Sequence, residues 1–391
     1  MKLVKLSLAA VVTVGTMTTY ASATPLEDAI KGVEISGIAR YRFYHESDKL
    51  LDDNGSQENR FSGELNIISP ISDNLKFGMT LAIEHKDFAS NDASSSGNID
   101  VDRFWFQYAI GDLTIKAGKM EIPTPWTESG FDGTRGNGIL ALYSGFENFT
   151  FAVAYYNQTN KMNDANIRTY DFATNSWQAP IEDFDNGLGL GQEDLMAAAV
   201  IGKVGFVDLQ VWMAKMEHAI DYTAFGEVGF NHEGFSLKGQ LNYLKLASEL
   251  KNDFKDDTGI FYGFEGGYEN DMFFVNAGYT KTDDDMPIYV LDGDNDGFIK
   301  FGQQLYLLTQ NSPDIKTYFA KAGFNYDKFG FEAGYGYADV NMKSSDKDEF
   351  YALVTYSPYK NLSLNAYYSV LNSDIHDEEN NELQFEIEYN F

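Results

Sequence analysis

The residues that could carry chemistry in this 391-residue sequence are charged or hydroxyl-bearing, because the chain has no cysteine. Thiol nucleophiles, disulfide scaffolds and cysteine-based zinc sites are therefore excluded. The five histidines stand singly, and no two have metal-ligand or catalytic spacing; they are His45, His85, His218, His232 and His376. A hydrolase built on a barrel would need a histidine beside Ser or Asp at a rim. We expect solvated histidines at strand ends and no enzyme activity.

One acidic segment has the spacing of the first half of a calcium-binding loop. Asp292, Asp294 and Asp296 stand at positions 1, 3 and 5, and Gly297 stands at the turn position. Position 12 is Gln303 instead of the bidentate Glu, and no flanking helices are expected. A calcium site is weighed against an acidic, solvated extracellular loop, and no cofactor is expected to be required.

Two further groups of charged residues could act together. The basic group consists of Arg40, Arg42, Arg60 and Arg103. The acidic group lies in one loop and consists of Glu128 and Asp132. Acidic and basic groups that face each other across a narrow opening create a transverse field, which orders water and screens solutes by charge and dipole. Whether these groups face each other depends on the elements that carry them.

The overall charge narrows the classes of partner. The chain has 59 Asp and Glu against 29 Lys and Arg, a net charge of −30. A nucleic-acid partner is excluded, because nothing here would neutralise phosphates. The chain is also rich in Phe (30), Tyr (25) and Gly (35) and poor in Pro (8), with a mean hydropathy of −0.33. This composition suits a β-barrel that distributes its apolar surface by alternation.

The first 23 residues have the pattern of a secretory signal peptide. Lys2 and Lys5 precede an apolar stretch over 6–17, and the small residues of 21–23 form a cleavage site. Removal of the two lysines changes the net charge from −30 to −32. The apolar stretch is too short for a transmembrane anchor, and no later stretch reaches the roughly 20 apolar residues of a spanning helix. We expect an exported protein that would cross a membrane with strands only.

The remainder, 24–391, alternates with a period of two and is predicted to be one all-β domain. An example has one apolar face, made of Val33, Ile35, Gly37, Ala39, Tyr41 and Phe43. About 18 strands are predicted, with 16 as the alternative count. Short links alternate with long acidic or polar loops, with a short loop-side link at Glu217–His218 as the exception. This asymmetry predicts a transmembrane antiparallel β-barrel with short periplasmic turns and long extracellular loops.

If the apolar face of each strand meets lipid, the polar face lines a lumen. Arg40, Arg42, Arg60 and Arg103 then form one contiguous sector of wall. Inward charges of both signs need water, because unpaired buried charges cost several kcal/mol each. A water-filled channel is therefore favoured over a structural barrel whose inward charges merely pair.

The loop 121–137 differs from the others because it contains Pro123, Pro125, Trp126 and Phe131. Apolar groups on an exposed loop favour burial, so we predict that it folds into the barrel. Glu128 and Asp132 would then face the arginines; the alternative is a surface loop with an aromatic residue on the rim.

The last strand ends in alternating apolar residues, with Tyr389 and the terminal Phe391 on the same face. This ending is similar to the strand that barrel-assembly machinery recognises in outer-membrane proteins. A closing strand also removes the free edge that lipid does not tolerate. We predict that Phe391 and Tyr389 form the assembly signal.

Several short motifs stand out near the start of the chain and around the loop 121–137. They are 2–8, 23–30, Ser36–Gly37, 40–43, 117–119, Trp126–Thr127, Asp132–Gly133, and Gly136 with Gly138. Together they resemble the major outer-membrane porin of Campylobacter and its epsilonproteobacterial relatives. The resemblance implies a trimeric barrel of 18 strands in the Gram-negative outer membrane, in contact with its lipid and lipopolysaccharide. It also implies passage of ions and small hydrophilic solutes, with basic wall residues at Arg40, Arg42 and Arg103.

The leading functional prediction is a general diffusion porin with a mild preference for cations and, secondarily, a role as a major surface protein. The alternatives are a substrate-specific porin and a structural or adhesive surface barrel. A substrate-specific porin would show an aromatic path along the lumen. Trp105, Tyr156 and Trp212 are predicted to face inward, without forming one traceable path.

Overall fold

The computed structural model describes residues 32–47, 55–88, 98–131, 133–160, 170–171, 176–177, 190–248, 250, 256–286, 295–305, 313–340, 346–373 and 378–391. The predicted signal peptide, 1–23, lies outside these residues. Within them, no helix has the length and apolar character needed to cross a membrane.

The described chain forms twenty strands and one short 3-10 helix, Leu190–Gln192. The strands are β1 Glu34–Ser47, β2 Ser56–Ser72, β3 Leu75–Phe88, β4 Asn98–Ile110, β5 Leu113–Glu121, β6 Arg135–Phe146, β7 Phe149–Thr159, β8 Tyr170–Asp171, β9 Ser176–Trp177, β10 Leu195–Val204, β11 Val207–Met216, β12 Ile220–His232, β13 Phe235–Leu246, β14 Thr258–Glu269, β15 Phe273–Thr282, β16 Ile315–Tyr326, β17 Phe329–Val340, β18 Lys347–Tyr359, β19 Leu362–Ser373 and β20 Glu378–Asn390.

Eighteen of these strands form one antiparallel sheet that closes on itself. Each strand pairs with its neighbours in the chain, β7 pairs with β10, and β8 and β9 form a separate hairpin. Closure is made between β1 and β20, where Arg40 lies opposite Glu388. The prediction of about 18 strands is confirmed, and the alternative of 16 is wrong. Closure leaves no free edge, as a hydrocarbon environment requires.

The two ends of the barrel differ as predicted. At one end the links are two or three residues long, for example Gly111–Asp112 and Glu233–Gly234. At the other end the links are mostly longer, and the three-residue link Glu217–Ala219 is the predicted exception. Only the links at the second end are therefore long enough to take different paths.

The outer face of the barrel is apolar and carries two bands of aromatic rings. Near the tight turns, ring contacts include Phe329 with Tyr356 at 4.6 Å and Phe235 with Tyr268 at 4.8 Å between centroids. Near the long loops, Tyr279 lies 5.0 Å from Tyr318. Aromatic belts at both membrane–water interfaces are typical of outer-membrane barrels. They also account for the high Phe and Tyr content of the chain.

Two sectors of the inner face differ in the chemistry of their side chains. We call the inner face of β6, β7, β10 and β11 the apolar sector; its buried side chains are Leu142, Ala152, Tyr156, Leu195, Ala197, Ala199, Trp212 and Ala214. We call the inner face of β1–β4 and β20 the charged sector; it carries Arg40, Arg42, Arg60, Glu64, Arg103 and Glu386. The mostly polar inner face predicted from alternation is therefore replaced by an apolar one in the apolar sector, where Tyr156 and Trp212 face inward as predicted.

Candidate functional site

Residues 122–131 and 133–134, which we call the first inward loop, lie inside the barrel against the apolar sector. Trp126 is 1% exposed, and its indole Nε1 donates a hydrogen bond to Oδ1 of Asn242 on β13 at 2.9 Å. Between Pro123, Thr124 and the alanines of the wall there remains a cavity of about 10 Å³. Such a space holds at most one water molecule. The loop is therefore packed onto a dry wall.

The first inward loop is held in shape by its own hydrogen bonds. Thr127 Oγ1 donates to the carbonyl of Ile122 at 2.5 Å and accepts from the amide of Thr124 at 3.1 Å. The amide of Ile122 donates to the carbonyl of Thr134 at 3.0 Å, which closes the base of the loop. Its polar backbone is thus satisfied where water is excluded.

Arg135, the first residue of β6, connects this loop to the charged sector. Its side chain is 1% exposed; Nε donates to Asp102 Oδ2 at 2.8 Å, and Nη2 donates to the carbonyl of Gly130 at 2.6 Å. Nη2 also lies 3.7 Å from Oε1 of Glu64 on β2. The sequence analysis missed Arg135 because the residue fell within the predicted loop, where alternation assigns no face.

A β-bulge gathers the acids around Arg103. Thr80 pairs with Arg103 while Leu81 pairs with Val101, so Asp102 is the extra residue. The bulge brings Asp102 and Arg103 together, with Arg103 Nε 3.2 Å from Asp102 Oδ2. Arg103 Nη2 also lies 2.5 Å from Glu64 Oε2, and Nη1 lies 3.4 Å from Glu121 Oε2. The predicted basic residue Arg103 is thus neutralised by several carboxylates.

The other three predicted arginines lie on β1 and β2 in one region. Arg42 forms an ion pair with Glu386 of β20 and donates to the hydroxyl of Tyr44 at 3.2 Å. Arg60, which is opposite Arg42 in the strand register, donates to Glu58 Oε1 at 3.0 Å. The structure therefore brings the predicted basic wall together and supplies acidic partners beside it.

Arg40 is the point where the wall meets the first inward loop. Its guanidinium carbon lies 4.7 Å from the centre of the Phe131 ring, and its Nε donates to Ser62 Oγ at 3.2 Å. A cation over an aromatic face is attracted by the ring quadrupole. The residue of the first inward loop that lies against Arg40 is thus the aromatic Phe131.

The two acids predicted to face the arginines are placed only in part. The backbone carbonyl of Glu128 accepts a hydrogen bond from the amide of Thr134 at 3.0 Å, and its side chain is half-buried. Asp132 lies outside the described residues. The opposition of Glu128 and Asp132 to the basic wall stays a prediction.

A second segment, 295–305, also lies inside the barrel, and we call it the second inward loop. Phe298 packs edge-on against Phe225 and Phe261, with centroids 5.3 and 5.0 Å away. Further along, the Phe301 ring lies 5.4 Å from those of Phe319 and Tyr351. This loop was not predicted to lie inside the barrel, because its acidic start suggested solvent. The apolar residues Phe298, Ile299 and Phe301 after that acidic start were the available signal.

The two inward loops are joined at Asp296, one of the predicted calcium ligands. Asp296 Oδ2 accepts hydrogen bonds from the amide and hydroxyl of Ser129 at 2.9 and 2.5 Å. The next residue is Gly297, and a Cβ there would lie 2.4 Å from Pro125 Cα. The backbones of the two inward loops are therefore too close at this point for any side chain. Asp292 and Asp294 lie outside the described residues, and the calcium site remains a prediction.

Among the described residues, one other group has donor atoms close enough for a metal ion. Oxygen or nitrogen atoms of Glu193, Glu217 and His218 lie within 4.8 Å of one another at the long-loop end of the barrel. In the structure His218 Nδ1 and Glu193 Oε2 are hydrogen-bonded at 2.7 Å. The imidazole is 60% exposed, so this group is a solvated surface cluster.

An 18-stranded closed barrel with an apolar outer wall and loops folded against its inner wall belongs to the class of outer-membrane porins. Solved structures of this class are similar in fold. OccK9 (OpdG) of Pseudomonas aeruginosa has a TM-score of 0.72 at 11% identity, over 93% of this chain and 99% of that one. OccK5 (OpdH) of the same organism has 0.71 at 11%, over 92% and 98%. OccAB4 of Acinetobacter baumannii has 0.67 at 12%, over 92% and 98%.

The family itself is shown by sequence. The model of the Campylobacter major outer membrane protein matches residues 1–391, so the chain belongs to that family. A search of curated proteins found no relative. The protein is therefore an outer-membrane porin of a Gram-negative cell, and family and fold point to a channel without enzymatic chemistry.

Proposed function

We propose that this porin is a general diffusion channel, which passes ions and small hydrophilic solutes with a mild preference for cations. The observation that carries the proposal is the charged sector, where arginines and carboxylates lie side by side on the inner wall. The first inward loop packs on the apolar sector and reaches the charged sector at Arg40, and the second inward loop reaches it at Asn380. Charged side chains keep water beside them because their desolvation is costly. The solute path proposed here runs along the charged sector.

The proposed cation preference follows from which charges are matched. Arg42, Arg60, Arg103 and Arg135 each lie within 4.0 Å of a carboxylate, so their fields are short-ranged. The surplus of acidic residues over the whole chain is unmatched and raises the local cation concentration at the mouths. Salt screens this effect, since the Debye length is about 10 Å at 0.1 M.

A general channel is favoured over a substrate-specific one by the position of the inward aromatic residues. Tyr156 and Trp212 are buried beneath the first inward loop, and Trp105 is 9% exposed with Lys116 Nζ 4.0 Å from the centre of its ring. Rings covered in this way do not offer a sliding path to a solute. These three rings therefore do not support the aromatic path expected of a substrate-specific porin.

The test is the reversal potential of the purified protein in a planar bilayer under a KCl gradient. Stable ohmic steps and a small potential of cation-selective sign, which fades as salt rises, are expected. Replacing both Glu128 and Asp132 with amides should shift the potential towards anions. The double variant Arg40→Gln and Arg42→Gln should shift it towards cations and widen the opening. If the protein is silent, a structural or adhesive barrel is favoured instead. If neither pair moves the potential, the constriction assignment fails.

The remaining partners are proposals that rest on family and fold. We propose a homotrimer in contact with outer-membrane lipid and lipopolysaccharide, inserted by the barrel-assembly machinery after removal of 1–23. The long loops would face outward and make the protein a major surface component. Diffusion needs no cofactor; calcium held by Asp292, Asp294 and Asp296 would be an accessory ion.

A further inference from the structure

Glu349, near the long-loop end of β18, is a buried carboxylate that the proposed pore does not use directly. It is 0% exposed. Its oxygens accept hydrogen bonds from three successive backbone amides of the second inward loop: Gln303 at 3.0 Å, Gln304 at 3.2 Å and Leu305 at 2.7 Å. The hydroxyl of Tyr367 donates a fourth at 3.0 Å.

The recorded partners of Glu349 are backbone amides and a phenol, not cations. A buried carboxylate needs several strong donors, because each donor that it loses leaves charge without solvation. Successive amides that converge on one anion form a nest. The charge of Glu349 is therefore satisfied in this arrangement only while the loop is docked.

The backbone of the loop is shaped for this anion at Gly302. Gly302 has a φ of +74°, in the left-handed region, and a Cβ there would lie 1.9 Å from Glu349 Oε2. A side chain at this position would be strained and would occupy the place of the carboxylate. Position 302 therefore requires glycine for two independent reasons: its backbone conformation and the space that the carboxylate occupies.

The same stretch of loop contacts the next two strands. Gln304 Nε2 donates to Ser369 Oγ of β19 at 2.8 Å, and Gln304 Oε1 accepts from Asn380 Nδ2 of β20 at 2.8 Å. At its other end the loop is fixed to β13, where Gln240 donates to the carbonyl of Gly297 at 2.7 Å. The second inward loop thus spans the inner wall from β13 to β20 and ends beside the charged sector.

We propose that Glu349 is a positioning residue that docks the second inward loop on β18–β20, so that both inward loops together set the width of the pore. The proposal rests on the proposed channel function, because a pore width has meaning only if the protein conducts. The docking itself can be measured without any conductance.

The test compares Glu349→Gln, Gly302→Ala and Tyr367→Phe with the control Glu332→Gln. Glu332 is also a glutamate of the inner wall, and it accepts from the Tyr351 hydroxyl at 2.5 Å instead of from the loop. Two quantities are measured: hydrogen exchange of the amides 303–305 in the refolded barrel, and single-channel conductance in planar bilayers. Electrophoretic mobility of the folded barrel shows that each variant has closed.

Glu349→Gln should raise exchange at 303–305 about tenfold or more. The reason is that a side-chain NH2 group takes the place of one acceptor oxygen and then faces the backbone N–H donors of the loop. Conductance should rise about 1.5-fold or more as the freed loop stops narrowing the lumen. Gly302→Ala should reproduce both effects by an unrelated route, Tyr367→Phe should give a smaller change, and Glu332→Gln should give none. Gly302→Ala also serves as the test if Glu349→Gln fails to fold.

Each other outcome overturns a stated part. Unchanged exchange in both Glu349→Gln and Gly302→Ala would refute the docking role. Raised exchange with unchanged conductance would refute the claim that this loop sets the pore width. Equal effects in Glu332→Gln would show a general loosening of the wall and refute the specific role of Glu349. A wild type that is silent in bilayers would refute the channel function and with it the pore width, while the exchange data would still decide the docking.

Discussion

The apolar sector and the charged sector are built from strands of the same kind and differ in their inward side chains and in what covers them. On β7 and β10 the inward side chains include Ala152, Ala197 and Ala199, and the first inward loop packs directly on them. On β1 and β2 the inward side chains include Arg42 and Arg60, each with an acidic neighbour. Small residues make room for a loop, whereas charged residues hold water. One part of a barrel wall can thus be covered by a loop, while another part faces the water of the lumen.

The largest effect is expected from removing Trp126, the buried aromatic residue of the first inward loop. Trp126→Ala should destabilise the refolded barrel by about 3–5 kcal/mol, because a fully buried aromatic side chain is lost and the wall cannot collapse around the gap. The loop should loosen and single-channel conductance should rise. Urea unfolding in detergent and bilayer recording measure the two effects.

The matched variant Trp126→Phe keeps the ring and loses the hydrogen bond to Asn242. It should cost only about 1 kcal/mol and leave conductance near the wild-type value. If Trp126→Ala proved as mild as Trp126→Phe, the loop would not depend on this part of the wall.

Moving a charge between the sectors tests the comparison directly. Ala199→Asp places a carboxylate beneath the first inward loop, where the structure records apolar neighbours, and should cost about 3 kcal/mol. Asn66→Asp places one beside Arg103, whose Nη2 is 3.5 Å from Asn66 Oδ1, and should change stability by less than about 1 kcal/mol. Urea midpoints of the two variants give the contrast. Equal costs would mean that both sectors are wet.

Arg135 joins the two sectors, so its loss should change selectivity as well as stability. Arg135→Met should cost about 2 kcal/mol, since Arg103 remains as a partner for Asp102 and Glu64. The loss of one positive charge should shift the reversal potential towards cations.

Arg135→Lys serves as the control, because it keeps the charge and loses the planar fork that holds Asp102 and the loop carbonyl together. Lysine should restore most of the reversal potential and little of the stability. If both variants shifted the potential equally, charge at position 135 would not explain the effect.

The smallest effect on the purified fold is expected on the outer face, at the end of the chain. Phe391 pairs with Gly37 of β1 through two backbone hydrogen bonds of 2.9 and 3.0 Å, and its ring lies 6.0 Å from that of Tyr389 on the outer face. Phe391→Asp keeps the backbone pairing and should cost less than about 1 kcal/mol after refolding in detergent.

In cells the same variant should lower the amount of protein inserted in the outer membrane, because we expect the assembly machinery to read the terminal aromatic residue. Surface labelling compared with the refolded yield separates the two steps. Normal surface abundance of Phe391→Asp would argue against the assembly signal.

Most of the strands could be predicted from the sequence. The alternating example that runs from Val33 to Phe43 falls, except for its first residue, within β1, and the predicted count of about 18 strands agrees with the closed sheet. Alternation is a property of each strand alone, since a side chain that faces lipid must be apolar whatever its neighbours are. Turn lengths are local in the same sense, so strand number and the asymmetry of the two ends were also accessible.

The site was accessible only in part. The basic wall residues Arg40, Arg42, Arg60 and Arg103 could be placed on nearby strands, because strand order brings β1, β2 and β4 close together; their role in a constriction stays a prediction. Their acidic partners were not identified, because the bulge at Asp102 and the closure of β20 onto β1 decide which carboxylates come near. A shift of one residue in register moves every side chain to the other face.

Composition and alternation were therefore enough for the class of protein, the number of strands and the face that meets lipid. They could not establish which part of the inner wall is dry. That depends on contacts between distant parts of the chain, such as Trp126 with Asn242, which are 116 residues apart, and Glu349 with the amides of 303–305. An inward side chain is covered or wetted by whatever loop reaches it, and a period-two pattern carries no information about where a loop comes to rest.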